Sequence, residues 1–240
     1  SLGMREVEVI RSPKVTLILT GNELIKPPEP ITRGKIYESN SMLLQTALQQ
    51  QGIETQLIFF TEDSLEATIN TLENAFLSAD VVLVSGGISV GDYDFVKQAL
   101  ASLKVKQIFY KVRQRPGKPL FFGKKNSKLV FALPGNPAST LSCFYVYVLP
   151  LLARLKGSKS NGLLRVALTI EHDYSSQEPR ALFLKAYAHN QTVSILDRQH
   201  SSMLISFAKA NALVYIPEHG INVKKGATVE TLLLPNTILT

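Results

Sequence analysis

The sequence has 240 residues, 45% of them hydrophobic, and its 26 Lys and Arg against 19 Asp and Glu give a formal net charge of +7. This composition supports one large or two small packed cores and excludes a disordered chain. The longest strongly apolar stretch, residues 144–152, contains Pro150 and is far shorter than the roughly 20 residues that cross a bilayer, so no membrane span is predicted. The single cysteine, Cys143, excludes an internal disulfide and predicts a buried thiol in a cytoplasmic protein.

Strands and helices alternate along the first 157 residues. β-Branched runs predict strands, and apolar residues at helical spacing, bounded by caps and glycines, predict helices. In chain order the predicted elements are a strand at 15–19, a helix at 40–52, a strand at 53–60, a helix at 65–76, a strand at 81–84, a helix at 94–103, strands near Ile108 and Val130, and a long helix at 138–155. This alternation predicts an α/β domain at 1–157, with a mostly parallel sheet covered by helices on both faces.

The pattern changes after the polar linker at residues 158–162. Short runs with period-two alternation follow, at 166–170, 182–188, 193–196, 213–216 and 229–234. Runs of this kind predict a second, all-β domain at 163–240, built as a small barrel or sandwich.

Three polar loops follow predicted strands of the first domain, at residues 20–24, 85–94 and 133–139. Ligands of open parallel sheets bind at the carboxyl ends of the strands, so these loops are expected to meet there. Glycines and hydroxyls suit a close approach to phosphate, and prolines make a loop rigid, although ordinary turns use the same residues. The candidate binding residues in the three loops are Thr20, Gly21, Ser85, Gly86, Gly87, Ser89, Gly91, Pro134, Gly135, Asn136, Pro137 and Ser139.

Three carboxylates follow different strands and are candidate ligands of a Mg²⁺ ion shared with substrate phosphate: Glu23, Asp63 and Asp94. Asp63 and Asp94 also suit helix caps, and this alternative stays open. The four histidines all lie in the second domain without metal-ligand spacing, so no histidine metal site is predicted.

Residues 104–128 contain nine Lys or Arg and no Asp or Glu, which predicts an anionic partner. Nucleic acid is one candidate for that partner. Alternatively, the run is a solvated basic surface without a specific partner. The run is interrupted by residues 116–119, Pro-Gly-Lys-Pro, which hold charges at fixed points. A small phosphorylated ligand is therefore favoured over nucleic acid.

Taken together, these motifs resemble the molybdopterin molybdenumtransferases of bacteria and the corresponding domain of gephyrin. The resemblance covers almost the whole chain in the family's order and spacing. It rests on residues 20–24 (TGNEL), 39–40 (SN), 85–94 (SGGISVGDYD), 115–119 (RPGKP) and 133–139 (LPGNPAS). The glycine-rich loop alone also suits the related pterin adenylyltransferases and competence-damage-inducible proteins, whereas the two proline-rich motifs favour the molybdenumtransferases.

The resemblance implies that adenylylated molybdopterin and molybdate are substrates and that Mg²⁺-assisted cleavage releases AMP as molybdenum enters the dithiolene. It implies a catalytic role for Glu23, Asp63 and Asp94, with Lys111 and Arg115 neutralising the anions. The molybdate site it implies consists of Arg115, Lys118 and Pro119, closed by Arg180, Ser201 and Ser202, with Pro134 and Pro137 shaping the wall. Gly117 is a further candidate substrate-binding residue.

The chain departs from the family at three positions, where Asn22, Arg115 and Met203 replace the usual Asp, Lys and Arg. Members of the family carry two further N-terminal domains, form homodimers whose partner helps complete the site, and are candidates for contact with the pterin adenylyltransferase. The resemblance therefore implies a C-terminal fragment that binds its substrate without catalysing the reaction. It leaves open whether the inserted metal is molybdenum or tungsten. A pterin adenylyltransferase and a non-catalytic scaffold module remain the alternative functions.

Overall fold

The computed structural model describes residues 3–88, 94–159, 162–219, 222–235 and 237–239. The first part of the chain alternates strands and helices. In chain order its elements are β1 (Val15–Thr20), β2 (Leu24–Ile25), β3 (Ile36–Tyr37), α1 (Asn40–Gln49), β4 (Thr55–Thr61), α2 (Leu65–Ser78), β5 (Val81–Ser85), α3 (Phe95–Ser102), β6 (Lys106–Tyr110), β7 (Gln114–Arg115), β8 (Phe121–Lys125), β9 (Lys128–Leu133), α4 (Pro137–Cys143), a π-helical turn (Phe144–Val148) and α5 (Leu149–Leu155).

Six of these strands form one sheet in the order β4-β1-β5-β9-β8-β6. The first four are parallel, and β8 runs antiparallel to both β9 and β6. Alternate residues of the central strands face opposite layers: Leu17 and Leu83 pack with α1, α4 and α5, whereas Ile18 and Val82 pack with α2 and α3. The predicted α/β fold with helices on both faces is confirmed.

The rest of the chain forms a small barrel, as the alternating runs predicted. Its elements are β10 (Leu164–Ile170), β11 (Tyr174–Ser175), β12 (Ala181–His189), β13 (Thr192–Ile195), α6 (Ile205–Lys209), β14 (Ala212–Ile216), β15 (Asn222–Val223) and β16 (Thr228–Leu233). Strands pair in the order β13-β10-β16-β14-β12, and the β13–β12 pairing closes the ring. Strands β11 and β15 form a separate antiparallel pair.

Strand β7 joins the two parts, since it pairs in parallel with β12 of the barrel, placing Arg115 opposite Leu182. A shared apolar core, which includes Phe144 on one side and Phe183 and Leu213 on the other, runs between the sheet and the barrel. The sequence did not predict β7, β8 or α6, which are short or carry Gly and Lys, residues with weak strand signals. Pairing with neighbouring strands, rather than local propensity, forms β7 and β8.

The helical segment from Pro137 to Leu155 is long and apolar enough to cross a membrane by length and composition, but 61% of it is buried inside the protein. Phe144 and Val148, in the middle of it, are fully buried in the core. This is the behaviour of a core helix.

Candidate functional site

A tightly packed glycine pair follows β5 at the carboxyl edge of the sheet. A Cβ atom on Gly86 would lie 2.2 Å from the carbonyl oxygen of Thr20, and one on Gly87 would lie 2.6 Å from a methyl of Val96. Both glycines have positive φ, +92° and +61°. The second loop thus presses its backbone against the first loop, and a side chain at either position would force its neighbours to shift.

Asn40, the first residue of α1, joins the second and third loops. Its Nδ2 donates to Ser85 Oγ at 2.9 Å and to the carbonyl oxygen of Gly135 at 2.7 Å. Gly135 also lies against Gly86, since a Cβ on Gly135 would be 3.6 Å from the Cα of Gly86. The two loops therefore adjoin at one edge, as the topology predicted.

The side chain of Asn40 is buried, and its Oδ1 has no hydrogen-bond partner among the described residues. A buried acceptor without a partner costs free energy, so this atom suits a donor from a ligand. The sequence singled out Asn40 only as part of the motif at residues 39–40. A polar amide at the start of a helix, close in the fold to two polar loops, was the available signal for a bridging role. We call Thr20, Asn40, Gly86, Gly87 and Gly135 the glycine wall.

Asp63 is fixed by the first loop rather than by the helix that follows it. Thr20 Oγ1 donates to Asp63 Oδ1, the Asn22 backbone N–H donates to Asp63 Oδ2 at 3.2 Å, and Asp63 N–H donates to Asn22 Oδ1 at 3.1 Å. Ser64, not Asp63, caps α2. Asn22 stands where the family usually has Asp, and its amide oxygen accepts a hydrogen bond beside Asp63. An Asp at this position would place a second negative charge there.

Glu23 bends back over Gly21, where a Cβ would meet the Glu23 carboxylate at 2.8 Å. Gly21 has φ +153°. The carboxylate of Glu23 therefore lies on the same first loop that holds Asp63.

Asp94 is buried and caps α3, with Oδ1 accepting from the Lys97 backbone N–H at 3.0 Å. Its Oδ2 accepts from the Tyr110 hydroxyl at 3.2 Å. Burial, and then the negative charge of Asp94, raises the pKa of Tyr110 to about 12, so the phenol stays protonated and remains a donor. The ammonium groups of Lys97 and Lys111 lie 4.8 and 5.0 Å from the Tyr110 ring centre. Asp94 is therefore a helix cap in this structure, which is the alternative role that the sequence left open.

Among the residues that the structure describes, no group of three or more His, Cys, Asp or Glu is arranged to hold a metal ion. Glu23 and Asp63 share the first loop, whereas Asp94 binds backbone and phenol at α3. The three carboxylates do not form a preassembled cluster. Magnesium commonly takes only one or two carboxylates together with phosphate oxygens, and Glu23 and Asp63 on the first loop match that number of carboxylates.

The turn that carries Lys118 is anchored to the long helix. A Cβ on Gly117, whose φ is +91°, would lie 2.3 Å from Cys143 Sγ. Gln114 Nε2 donates to the Pro116 carbonyl at 3.0 Å, and Tyr147 Oη donates to Gln114 Oε1. Pro119 is half-buried while Lys118 is exposed. The turn therefore holds Lys118 outward on a fixed backbone.

Burial raises the pKa of the Cys143 thiol to about 12, which leaves it protonated. Cys143 is thus the packing residue that the sequence predicted.

Two arginines converge on one carboxylate beside this turn. Glu178 accepts from Arg180 Nε at 2.7 Å, from Arg180 Nη2 at 2.8 Å and from Arg115 Nη1 at 3.2 Å. The hydrogen bonds from Arg180 are the main reason that the pKa of Glu178 falls to about 2. We call Arg115, Lys118, Glu178 and Arg180 the arginine face. The sequence predicted its three cations but not Glu178.

The barrel contacts the third loop through Ser201, whose Oγ accepts from Asn136 Nδ2 at 3.0 Å and whose carbonyl accepts from Ala138 N–H at 3.1 Å. Ser202 is exposed. The segment that carries both serines is tied down by Lys185, whose Nζ donates to the carbonyls of Arg198, His200 and Met203 at 3.1 to 3.3 Å. Burial lowers the pKa of Lys185.

The remaining predicted residues of the third loop lie where α4 begins. Pro137 occupies the first turn of α4, Ser139 is buried, and Thr140 Oγ1 donates to the Pro134 carbonyl at 2.5 Å. Ser89 and Gly91 lie outside the described residues. The nine basic residues of 104–128 separate in space, since Lys106 pairs opposite Lys124 and Lys125 opposite Lys128, at the far ends of their strands from Tyr110.

Chemically, the sheet edge offers a neutral wall with a spare buried acceptor, and the residues around β7 and the start of β12 offer a face of guanidinium and ammonium groups. The wall suits a ligand with N–H donors, and the face suits an oxyanion.

Comparison with known proteins gives the same picture for both parts of the chain. Residues 16–154 match the family model described as "Probable molybdopterin binding domain", and residues 167–234 match that described as "MoeA C-terminal region (domain IV)". Molybdopterin molybdenumtransferase from a Nostoc species is 34% identical over 241 residues, covering 96% of this chain and 55% of the relative. The same enzyme from Staphylococcus epidermidis is 30% identical over 235 residues, covering 96% of this chain and 56% of the relative.

Among solved structures, the molybdopterin biosynthesis MoeA protein from Pyrococcus horikoshii is similar with a TM-score of 0.79 and 30% identity. That match covers 93% of this chain and 55% of the other. The chain thus spans about half the length of the curated relatives it matches.

Proposed function

This chain belongs to the molybdopterin-binding domain family, and from that premise we propose that it forms the pterin-binding and C-terminal part of a molybdopterin molybdenumtransferase. Its proposed reaction inserts molybdenum from molybdate into adenylylated molybdopterin and releases AMP. The observation that carries this proposal is the bridge from Asn40 to Ser85 and Gly135, which assembles the glycine wall directly at the sheet edge.

In this proposal the glycine wall holds the pterin and its phosphates. The spare Oδ1 of Asn40 accepts an N–H of the ligand, and the backbone at Gly86 and Gly87 approaches it closely because neither position carries a side chain. Asp94 orients the Tyr110 hydroxyl, and Lys97 and Lys111 lie beside that ring. These cations offset the negative charge of a phosphate placed at this end of the site.

The arginine face receives molybdate. Arg115, Lys118 and Arg180 supply positive charge, and Ser201 brings the barrel against the third loop. Magnesium, when bound, neutralises phosphate charge, and Glu23, Asp63 and Asp94 are the carboxylates proposed to hold it together with substrate phosphate. We further propose a homodimer in the cytoplasm that accepts its substrate from the pterin adenylyltransferase.

The test is to add molybdate to the full-length protein carrying adenylylated molybdopterin and to identify the nucleotide product by mass spectrometry. Stoichiometric AMP that requires molybdate supports the proposal. An adenylyltransferase would instead consume ATP and non-adenylylated pterin, and a scaffold module would release no nucleotide under either condition. Either of those results would reject the proposed transferase.

A further inference from the structure

Glu178 fills the space between the two guanidinium groups of the arginine face. Its carboxylate accepts three N–H groups, two from Arg180 and one from Arg115. The Glu178 side chain is 13% exposed, against 50% for Arg115 and 31% for Arg180. The carboxylate is thus the most deeply placed member of the three, where an anion bound by both arginines would lie.

The backbones of the two arginines do not depend on Glu178 for their positions. Arg115 lies on β7, and β7 pairs with β12 immediately after Arg180. The Ala181 backbone N–H donates to the Arg113 carbonyl at 3.0 Å. Main-chain pairing therefore keeps the backbones of the two arginines close together, whatever carboxylate lies between their side chains.

A carboxylate and a tetrahedral oxyanion bind guanidinium groups in the same way, because both present oxygens spaced for paired N–H donors. Glu178 carries one negative charge against two positive charges. An incoming dianion matches both cations, but it first has to remove Glu178 from them.

We propose that Glu178 is an internal occupant of the oxyanion subsite and that molybdate binds by displacing it from Arg115 and Arg180. The identity of the anion rests on the proposed function. Glu178 lowers the affinity of the free site for oxyanions, so the subsite stays closed to weakly charged anions and opens to a dianion. If Glu178 instead positioned the arginines for molybdate, its removal would weaken binding, so the two roles predict changes of opposite sign.

The experiment measures molybdate affinity of the full-length protein by titration calorimetry, with Glu178→Gln, which keeps the shape of the side chain but removes its charge. The expected result is an affinity gain of about tenfold or more, the scale of a close interfacial charge interaction. Glu178→Asp, which retains the charge on a shorter side chain, is expected to give a smaller gain. Adding Arg180→Gln to Glu178→Gln should abolish the gain.

The matched control is Glu230→Gln, since Glu230 pairs with Arg165 on the outer surface of the barrel and its loss should leave molybdate affinity unchanged. Thermal unfolding of each variant checks that the fold is intact. Molybdate affinity of Glu178→Gln that equals or falls below that of the wild type, including no binding by either, overturns the proposal. Failure of the proposed function is a separate result, because it is the absence of molybdate-dependent AMP release from the wild type.

Discussion

The glycine wall and the arginine face are built by different physics. The wall is neutral, with Thr20 and Asn40 buried, the two adjacent glycines half-buried and Gly135 exposed. It is held by backbone contacts and by one amide that serves two loops. The face is charged and partly exposed, and its arginines are already paired to a carboxylate. The wall is therefore fixed before any ligand arrives, whereas the face rearranges its partners when an anion binds.

In the proposed reaction, the wall selects its ligand by shape and the face attracts its ligand by charge. A closed, rigid wall loses little entropy on binding and selects a ligand by fit. A charged face at the surface supplies attraction that is weakened by salt. Changes in the wall should therefore affect stability and pterin binding, and changes in the face should affect anion binding with little loss of stability.

The largest expected effect is on stability, for Gly86→Ala. The added Cβ would lie 2.2 Å from the Thr20 carbonyl oxygen, at a φ of +92°. Clash and strain together should lower the free energy of unfolding by about 3 kcal/mol or more, measured by urea denaturation. Gly34→Ala is the control, because Gly34 has φ +82° and open space around its Cβ position, so strain alone should cost about 1 kcal/mol. Equal losses in the two variants would show that the wall is not closed.

The next effect is on turnover, for Asp94→Asn. Asparagine caps a helix as well as aspartate, so the melting temperature should change little. The negative charge with which Asp94 is proposed to hold Mg²⁺ against the substrate phosphate is lost, and molybdate-dependent AMP release from the full-length protein should fall about a hundredfold. Retained turnover would leave Asp94 with a capping role only.

A smaller loss is expected for Asn40→Ala, which leaves Ser85 Oγ and the Gly135 carbonyl without their donor. Leaving buried acceptors unpaired should cost about 2 kcal/mol of unfolding free energy, measured by urea denaturation. Asn136→Ala removes an exposed amide with one contact, to Ser201, and should cost well under about 1 kcal/mol. If both changes cost the same, the bridge does not assemble the wall.

The smallest effect belongs to the face. Lys118→Ala should weaken molybdate binding by about 1.5 kcal/mol, the lower range for a charge-assisted hydrogen bond, because Lys118 is exposed. Lys125→Ala is the control, because Lys125 lies at the far end of β8 from Lys118. It removes the same charge and should change molybdate affinity by well under about 1 kcal/mol. Titrations at two salt concentrations separate a direct contact from general attraction, and equal affinities of Lys118→Ala and the wild type would place Lys118 outside the site.

The sequence predicts the parts of this molecule that depend on local pattern. Aliphatic strands such as Val81–Ser85 and the helices around them follow from periodicity, and loops at their ends are expected to meet at one edge. It does not predict β7, because that strand forms only by pairing with β12. Glu178 was missed because its second arginine, Arg115, lies 63 residues away. Lys185 was missed because its partners are backbone carbonyls, which no motif reveals.

The most direct test that the glycine wall binds the pterin and the arginine face binds molybdate is to measure the affinity of one variant of each for both ligands. The full-length protein, Asn40→Ala and Lys118→Ala are each titrated with adenylylated molybdopterin and, separately, with molybdate. We expect Asn40→Ala to weaken pterin binding about tenfold while molybdate affinity stays unchanged, and Lys118→Ala to weaken molybdate binding by a similar factor. Loss of molybdate affinity in Asn40→Ala equal to its loss of pterin affinity, or unchanged molybdate affinity in Lys118→Ala, would contradict the division of the site.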